Sequence, residues 1–164
     1  MKTLYIIRHA KSSWKFLKIF DFERSLSKRG KADVFMMGKR LKEQKIIPDL
    51  IITSAAKRTL KTAKKLAKIL KAKKHLQIEK QLYKAKLDMI YKFIQNVDDK
   101  HKTVFYVGHN PEITEFVNDF ARAKIENVPT TGIVATKIHC KNWSEVKAGM
   151  GEVLFFDYPK KPKL

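Results

Sequence analysis

Short apolar runs alternate along this chain with longer stretches in which apolar residues recur every three or four positions. The runs at residues 3–7, 50–53, 103–107, 133–138 and 152–156 predict β-strands, with a weaker candidate at 76–79. The first three are close to continuously apolar, as in Leu4-Tyr5-Ile6-Ile7 and Val104-Phe105-Tyr106-Val107. That pattern suits strands buried on both faces, hence parallel neighbours. Between them, residues 54–71 carry Leu60, Ala63, Leu66, Ala67 and Leu70 on one stripe with lysines opposite, which predicts an amphipathic helix. Residues 111–122 place Ile113, Phe116, Val117 and Phe120 at helical spacing. Asn110 is a candidate cap there, Pro111 suits the first turn, and Glu112 and Glu115 complement the positive end. Ser27 can cap a helix running to about residue 44, and residues 87–97 form a fourth. Alternating strands and helices predict an α/β three-layer sandwich, a mostly parallel sheet with helices on both faces.

A length of 164 residues suits one domain with a full core, expected over residues 1–158, followed by a basic, Pro/Lys-rich tail at 159–164. No apolar stretch approaches the ~20 residues that span a bilayer, and the N-terminal run is too short for a signal peptide before it meets Arg8. A single cysteine, Cys140, allows no internal disulfide and points to the cytosol. The net charge of +20 raises the question of nucleic-acid binding. The lysines are spread through the chain, however, with no aromatic RNA-binding motif or zinc finger beside them. They predict solvated faces whose field draws in an anionic substrate or acidic partner.

In such sheets ligands sit at the carboxyl ends of the strands, and His9, Ser54 and His109 all fall there. Arg8-His9 closes the first strand. A neutral imidazole with one free nitrogen can attack phosphorus, and an adjacent guanidinium can disperse phosphoryl charge. Arg58 falls in the first turn of a helix, where the dipole disfavours a cation and an anionic ligand would offset that cost. Val107-Gly108-His109-Asn110-Pro111 sets a second histidine beside a helix N-terminus, which favours anions. His9, His75, His101, His109 and His139 show no paired metal-ligand spacing and Cys140 stands alone, so no metal site is expected. Gly149-Met150-Gly151 lacks the lysine and helix of a nucleotide loop, so no cofactor is expected either.

Taken in order, these pieces resemble the histidine phosphatase superfamily, which includes the phosphoglycerate mutases, and more closely its small SixA-type phosphohistidine phosphatase branch. The resemblance runs through Arg8-His9-Ala10-Lys11-Ser12-Ser13-Trp14, then Asp21-Phe22-Glu23-Arg24-Ser25-Leu26-Ser27-Lys28-Arg29-Gly30. It continues through Ser54, Arg58-Thr59 and Thr62-Ala63, Leu82-Tyr83-Lys84-Ala85, Val107 to Pro111, Pro129-Thr130-Thr131-Gly132 and Gly151-Glu152-Val153-Leu154. It implies a phosphoglycerate mutase-like fold and His9 as a nucleophile that becomes transiently phosphorylated. It also implies Arg8, Arg58 and His109 as the rest of the phosphate pocket, and Asn110 stands beside them as a further substrate-binding candidate. Larger relatives carry an acidic proton donor. The position here aligns nearest Gln81, which cannot donate as a carboxylic acid does, with Glu79 and Asp88 as possible substitutes. A site without a strong acid suits phosphohistidine or aryl phosphates better than alkyl esters. The expected function is therefore metal-independent dephosphorylation of phosphohistidine in proteins. A small-molecule phosphomonoesterase, a basic nucleic-acid-binding protein and a non-catalytic phosphate-binding module are the alternatives.

Overall fold

A computed structural model describes residues 1–14 and 20–162. Its strands are β1 (Lys2–Arg8), β2 (Leu50–Ser54), β3 (Leu76–Glu79), β4 (Thr103–Gly108), β5 (Ile133–Ile138) and β6 (Gly151–Asp157). Its α-helices are α1 (Lys28–Glu43), α2 (Lys57–Ile69), α3 (Leu87–Gln95) and α4 (Glu112–Ala121). The six strands form one sheet in the order β3-β2-β4-β1-β5-β6. The pairings β2·β3, β2·β4 and β1·β4 are parallel, and β5 runs antiparallel to both β1 and β6. Every predicted strand and helix is present, with ends shifted by a few residues at most.

The alternation of side chains along each strand sorts the core into two layers. Tyr5, Ile7, Ile51, Phe105 and Val107 face one way and meet Val34, Met37 and Leu41 of α1 and Ala63, Leu66 and Ala67 of α2. Leu4, Ile6, Ile52, Val104 and Tyr106 face the other way and meet Ile90 and Ile94 of α3 and Ile113, Phe116, Val117 and Phe120 of α4. Most of these side chains are fully buried. Each such aliphatic or aromatic side chain contributes about 1.5–3 kcal/mol by leaving water.

One register decides the rest of the protein. β1 and β4 pair from Thr3↔Thr103 to Arg8↔Gly108. The next residue on each strand, His9 and His109, therefore leaves the sheet beside the other. The main-chain N–H of His9 donates to the carbonyl of Gly108 (3.0 Å), so the pairing continues one residue past the strand.

α1 starts where the sequence places it: Ser27 caps it, with its hydroxyl oxygen accepting from Gly30 N–H (3.0 Å). The turn is tight against the chain after β1. The Lys11 carbonyl accepts from Ser27 N–H (2.9 Å), and a Cβ added to Gly30 would stand 2.1 Å from that oxygen. Gly30→Ala must therefore push the cap away from Lys11, two residues from His9. Overpacking of this kind costs about 1–3 kcal/mol, which outweighs the helix-propensity gain of a first-turn alanine. Thermal unfolding should begin roughly 4–8 °C lower for a cost near 2 kcal/mol, and an unchanged midpoint would show that the turn can shift freely. At the other edge, Arg40 of α1 binds Asp157 (3.1 Å) and the Pro159 carbonyl (3.4 Å), which ties the start of the basic tail to the domain.

Candidate active site

His9 is held by its backbone from three directions. Its N–H reaches Gly108 on β4, its carbonyl accepts from Thr131 N–H (3.1 Å), and the next N–H, of Ala10, donates to the Thr62 hydroxyl on α2 (3.0 Å). Its Nδ1 lies 2.7 Å from the Ala10 carbonyl. A carbonyl can only accept, so Nδ1 carries the proton and Nε2 presents a lone pair. The residue is 8% exposed.

The His109 ring stands 5.5 Å from that of His9, centroid to centroid. Its Nε2 contacts the Ser54 hydroxyl at the end of β2 (2.7 Å), and Ser54 in turn contacts the Thr59 hydroxyl in the first turn of α2 (2.6 Å). This chain of hydroxyls fixes the ring plane whichever atom donates. His109 Nδ1 is buried and has no partner.

Two arginines flank the histidines. Arg8 donates through Nη1 to the Val128 carbonyl (3.0 Å), and its buried Nε has no partner. Arg58 lies in the first turn of α2 and is 7% exposed. It donates through Nη1 to the Asp21 carbonyl (2.7 Å) and through Nη2 to the Asp21 carboxylate (2.9 Å). That carboxylate also accepts from the Tyr83 hydroxyl (2.5 Å) and from Arg24 (3.0 Å). Tyr83 completes the wall, its ring 5.5 Å from that of His109. Arg24 also bonds the Ser12 hydroxyl, and its guanidinium lies over the Trp14 ring (3.1 Å).

The electrostatics follow from burial and the arginines. Burial, with help from Arg58, Arg8 and Arg24, lowers the His9 pKa to about 4 against the opposing Ala10 hydrogen bond. Burial, then the neighbouring His9 and Arg58, lowers His109 to about 3. Both rings are therefore neutral near pH 7. Burial works to raise the Asp21 pKa, but the Tyr83 hydrogen bond and Arg58 prevail and hold it well below the usual carboxylate range. Asp21 is thus an anion that fixes Arg58 and has no proton to give near neutrality.

Among the described residues, four buried side-chain polar atoms lack a partner. Three of them, Arg8 Nε, His109 Nδ1 and Thr131 Oγ1, belong to residues at this one edge of the sheet. An unpaired buried polar atom costs about 1–3 kcal/mol. Their gathering around His9 is what a site preorganised for an oxyanion would look like.

The structure thus brings Arg8, His9, Arg58 and His109 together. Asn110 is differently placed. Its Nδ2 donates to Asn127 Oδ1 (2.8 Å) and the Val128 carbonyl (3.1 Å), and its Oδ1 accepts from the Thr114 N–H and hydroxyl. With both ends of its amide occupied, Asn110 braces the loop that anchors Arg8 and is not a free ligand contact. Among the described residues, no acid candidate contacts His9 or His109, although Glu79 stands opposite Ser54 in the β2·β3 register. Gln81 is exposed and shares a surface hollow with Gln77, Lys92, Phe93 and Asn96. Glu79 accepts from Gln77 (3.0 Å), and Asp88 is exposed and caps Met89 N–H (3.0 Å). Sequence reasoning gave no role to Asp21, Tyr83, Ser54 or Thr62. All four lie in segments that carry the family resemblance, but the partner each one holds comes from a distant part of the chain and no local pattern announces it.

Geometrically this is a cluster of two neutral imidazoles and two guanidiniums at the carboxyl edge of an α/β sheet. The chain belongs to the histidine phosphatase superfamily (branch 1), whose profile it matches over residues 4–87. It is 28% identical over 159 residues to an uncharacterized chloroplastic protein of Arabidopsis thaliana, At3g52155, covering 92% of this chain and 72% of the relative. Its fold matches that of SixA from Agrobacterium tumefaciens, with a TM-score of 0.82, 21% identity and coverage of 96% and 98% of the two chains. It also matches the protein histidine phosphatase SixA complexed with tungstate, with a TM-score of 0.81, 18% identity and coverage of 96% and 97%.

Proposed function

We propose that this protein is a metal-independent phosphohydrolase that passes the phosphoryl group through His9, and that its substrate is phosphohistidine in proteins. The observation that carries this reading is the His9 ring: protonated on Nδ1, unprotonated on Nε2, and 5.5 Å from the ring of His109, which like Arg8 keeps a buried nitrogen without a partner. In the first half-reaction His9 Nε2 forms the bond to phosphorus while the bond from phosphorus to the leaving group breaks. In the second, water forms the new P–O bond, the N–P bond breaks, and inorganic phosphate leaves. Arg8 and Arg58 hold the phosphoryl oxygens and supply the positive charge that a metal supplies elsewhere. An arriving phosphoryl dianion favours protonation of His109, whose Nδ1 then hydrogen-bonds a non-bridging phosphoryl oxygen and not the leaving group. The SixA neighbour bound to tungstate, a phosphate-like oxyanion, supports the reading by its fold.

Substrate class follows from the proton supply. Apart from His9 and the arginines, the ionisable groups beside His109 are Tyr83, whose hydroxyl is committed to Asp21, and Asp21 itself, held ionised. An alkoxide must then leave largely unaided, whereas imidazole or a phenoxide departs without a strong acid. A leaving-group series without added metal tests this, together with labelled substrate quenched without acid. Label should appear on His9, phosphohistidine and aryl phosphates should turn over, and simple alkyl phosphates should be slow. Equal rates across the series with chemistry limiting would assign the protein to small phosphate esters. Label on another residue would end the His9 assignment. Gln81→Glu should leave the series unchanged, because residue 81 faces away from the crevice.

A further inference from the structure

A second cleft opens at the same carboxyl edge of the sheet. It encloses about 310 Å³ between the chain after β1, the first turn of α1, the turn before β5 and the chain after β6. Lys11, two residues from His9, forms one wall, and Pro129 and Thr130 form another. The next residue, Thr131, is hydrogen-bonded to the His9 carbonyl. Two of its walls therefore lie within two residues of groups that hold His9.

Its charge is one-sided. Lys11, Arg29 and Lys160 line it, and Asp33 is the acid among the described lining residues. Asp33 is already paired with Arg29 (3.7 Å), so Lys11 and Lys160, both exposed, have no acidic partner among the described residues. The first turn of α1 adds Lys28 and Arg29 with no acidic residue. The helix dipole disfavours cations at that end, and an anionic occupant would offset the cost.

We infer that this cleft is a docking subsite for an acidic segment that flanks the phosphorylated residue of a protein substrate. The inference rests on the proposed phosphohistidine activity and adds to it what selects the substrate. The phosphoryl group enters the His9 crevice while aspartate or glutamate side chains near it in the substrate pair with Lys11 and Lys160. A free small phosphate ester cannot reach both places. The subsite thus contributes to affinity for proteins and nothing to the chemical step.

The test uses peptides carrying a non-hydrolysable phosphohistidine analogue, a phosphonate on a five-membered ring, flanked by either Asp/Glu or Lys/Ser. Titration calorimetry measures the preference for the acidic flank. Hydrolysis of an aryl phosphate by each variant monitors the chemistry. In the parent protein the acidic peptide should bind about tenfold more tightly at low salt, and the preference should shrink as salt is added. Lys160→Glu should reduce the preference about fivefold, as expected for reversing one partly exposed contact, and Lys11→Glu/Lys160→Glu should erase it. Aryl phosphate kcat/KM should stay within about twofold, since neither side chain touches the phosphoryl group. Lys68→Glu, the same charge change at the far end of α2, should leave the preference intact. An equal loss in Lys68→Glu would mean that bulk charge alone is felt, and the subsite idea would fail. It would fail too if the parent showed no preference, or if aryl phosphate turnover fell together with peptide affinity. A parent that binds as described but hydrolyses neither phosphohistidine nor aryl phosphate would sink the proposed activity and leave the subsite standing.

Discussion

Replacing His9 with alanine should lower aryl phosphate turnover by about 10⁴-fold or more and leave no phosphoryl label on the protein. The size of the effect follows from the covalent route: without Nε2 the two easy steps collapse into one difficult displacement by water. His109 is the neighbour to watch, since Ser54 occupies its Nε2 and leaves its Nδ1 without a partner. The substitution should also fold normally. The bonds from Gly108, Thr131 and Thr62 are made to main-chain atoms of residues 9 and 10, and the side chain contributes one hydrogen bond, to the Ala10 carbonyl, and its packing against His109. Stopped turnover in a cooperatively folded variant, with the unfolding midpoint lowered by a few degrees for a cost of about 1–3 kcal/mol, is the expected pair of measurements. Substantial turnover in the variant, or label on His109, would move the nucleophile elsewhere.

Arg58→Lys should cost about 10²-fold in kcat/KM although the charge is conserved. Removing one preorganised donor from a developing oxyanion typically costs that much. The guanidinium is planar and forked, and Asp21 grips its outer edge through a carbonyl and a carboxylate at once. The guanidinium is thereby held in one orientation, with N–H groups left over for a ligand. A lysine offers a point charge on a flexible stem and cannot be gripped this way. Asp21 would remain held by Arg24 and Tyr83, so the loss should appear in catalysis more than in folding. Inorganic phosphate should also become a weaker competitive inhibitor. Kinetics within about threefold of the parent would show that the remaining N–H groups of Arg58 do not meet the phosphoryl group.

Much of this protein is visible before folding is considered. Continuous apolar runs such as Leu4 to Ile7 require burial on both sides, and this forces helices onto both faces. Ser27 and the 54–71 stripe mark their helices through local chemistry, which acts within a turn or two. Arg8, His9, Arg58 and His109 are each legible as strand-end or helix-start residues that could meet an anion. That they do meet was decided by the parallel register of β1 and β4, which aligns residues a hundred positions apart and leaves His9 and His109 side by side. Tertiary packing also decided what each polar side chain is free to do. Asn110 spends its amide on the 127–128 loop, Gln81 turns toward the end of α3, and Asp21 crosses 37 positions to hold Arg58. Periodicity and capping are short-range and written in consecutive residues. Hydrogen-bond partners at the site come from separate strands and loops, and only closure of the sheet brings them within 3 Å of one another.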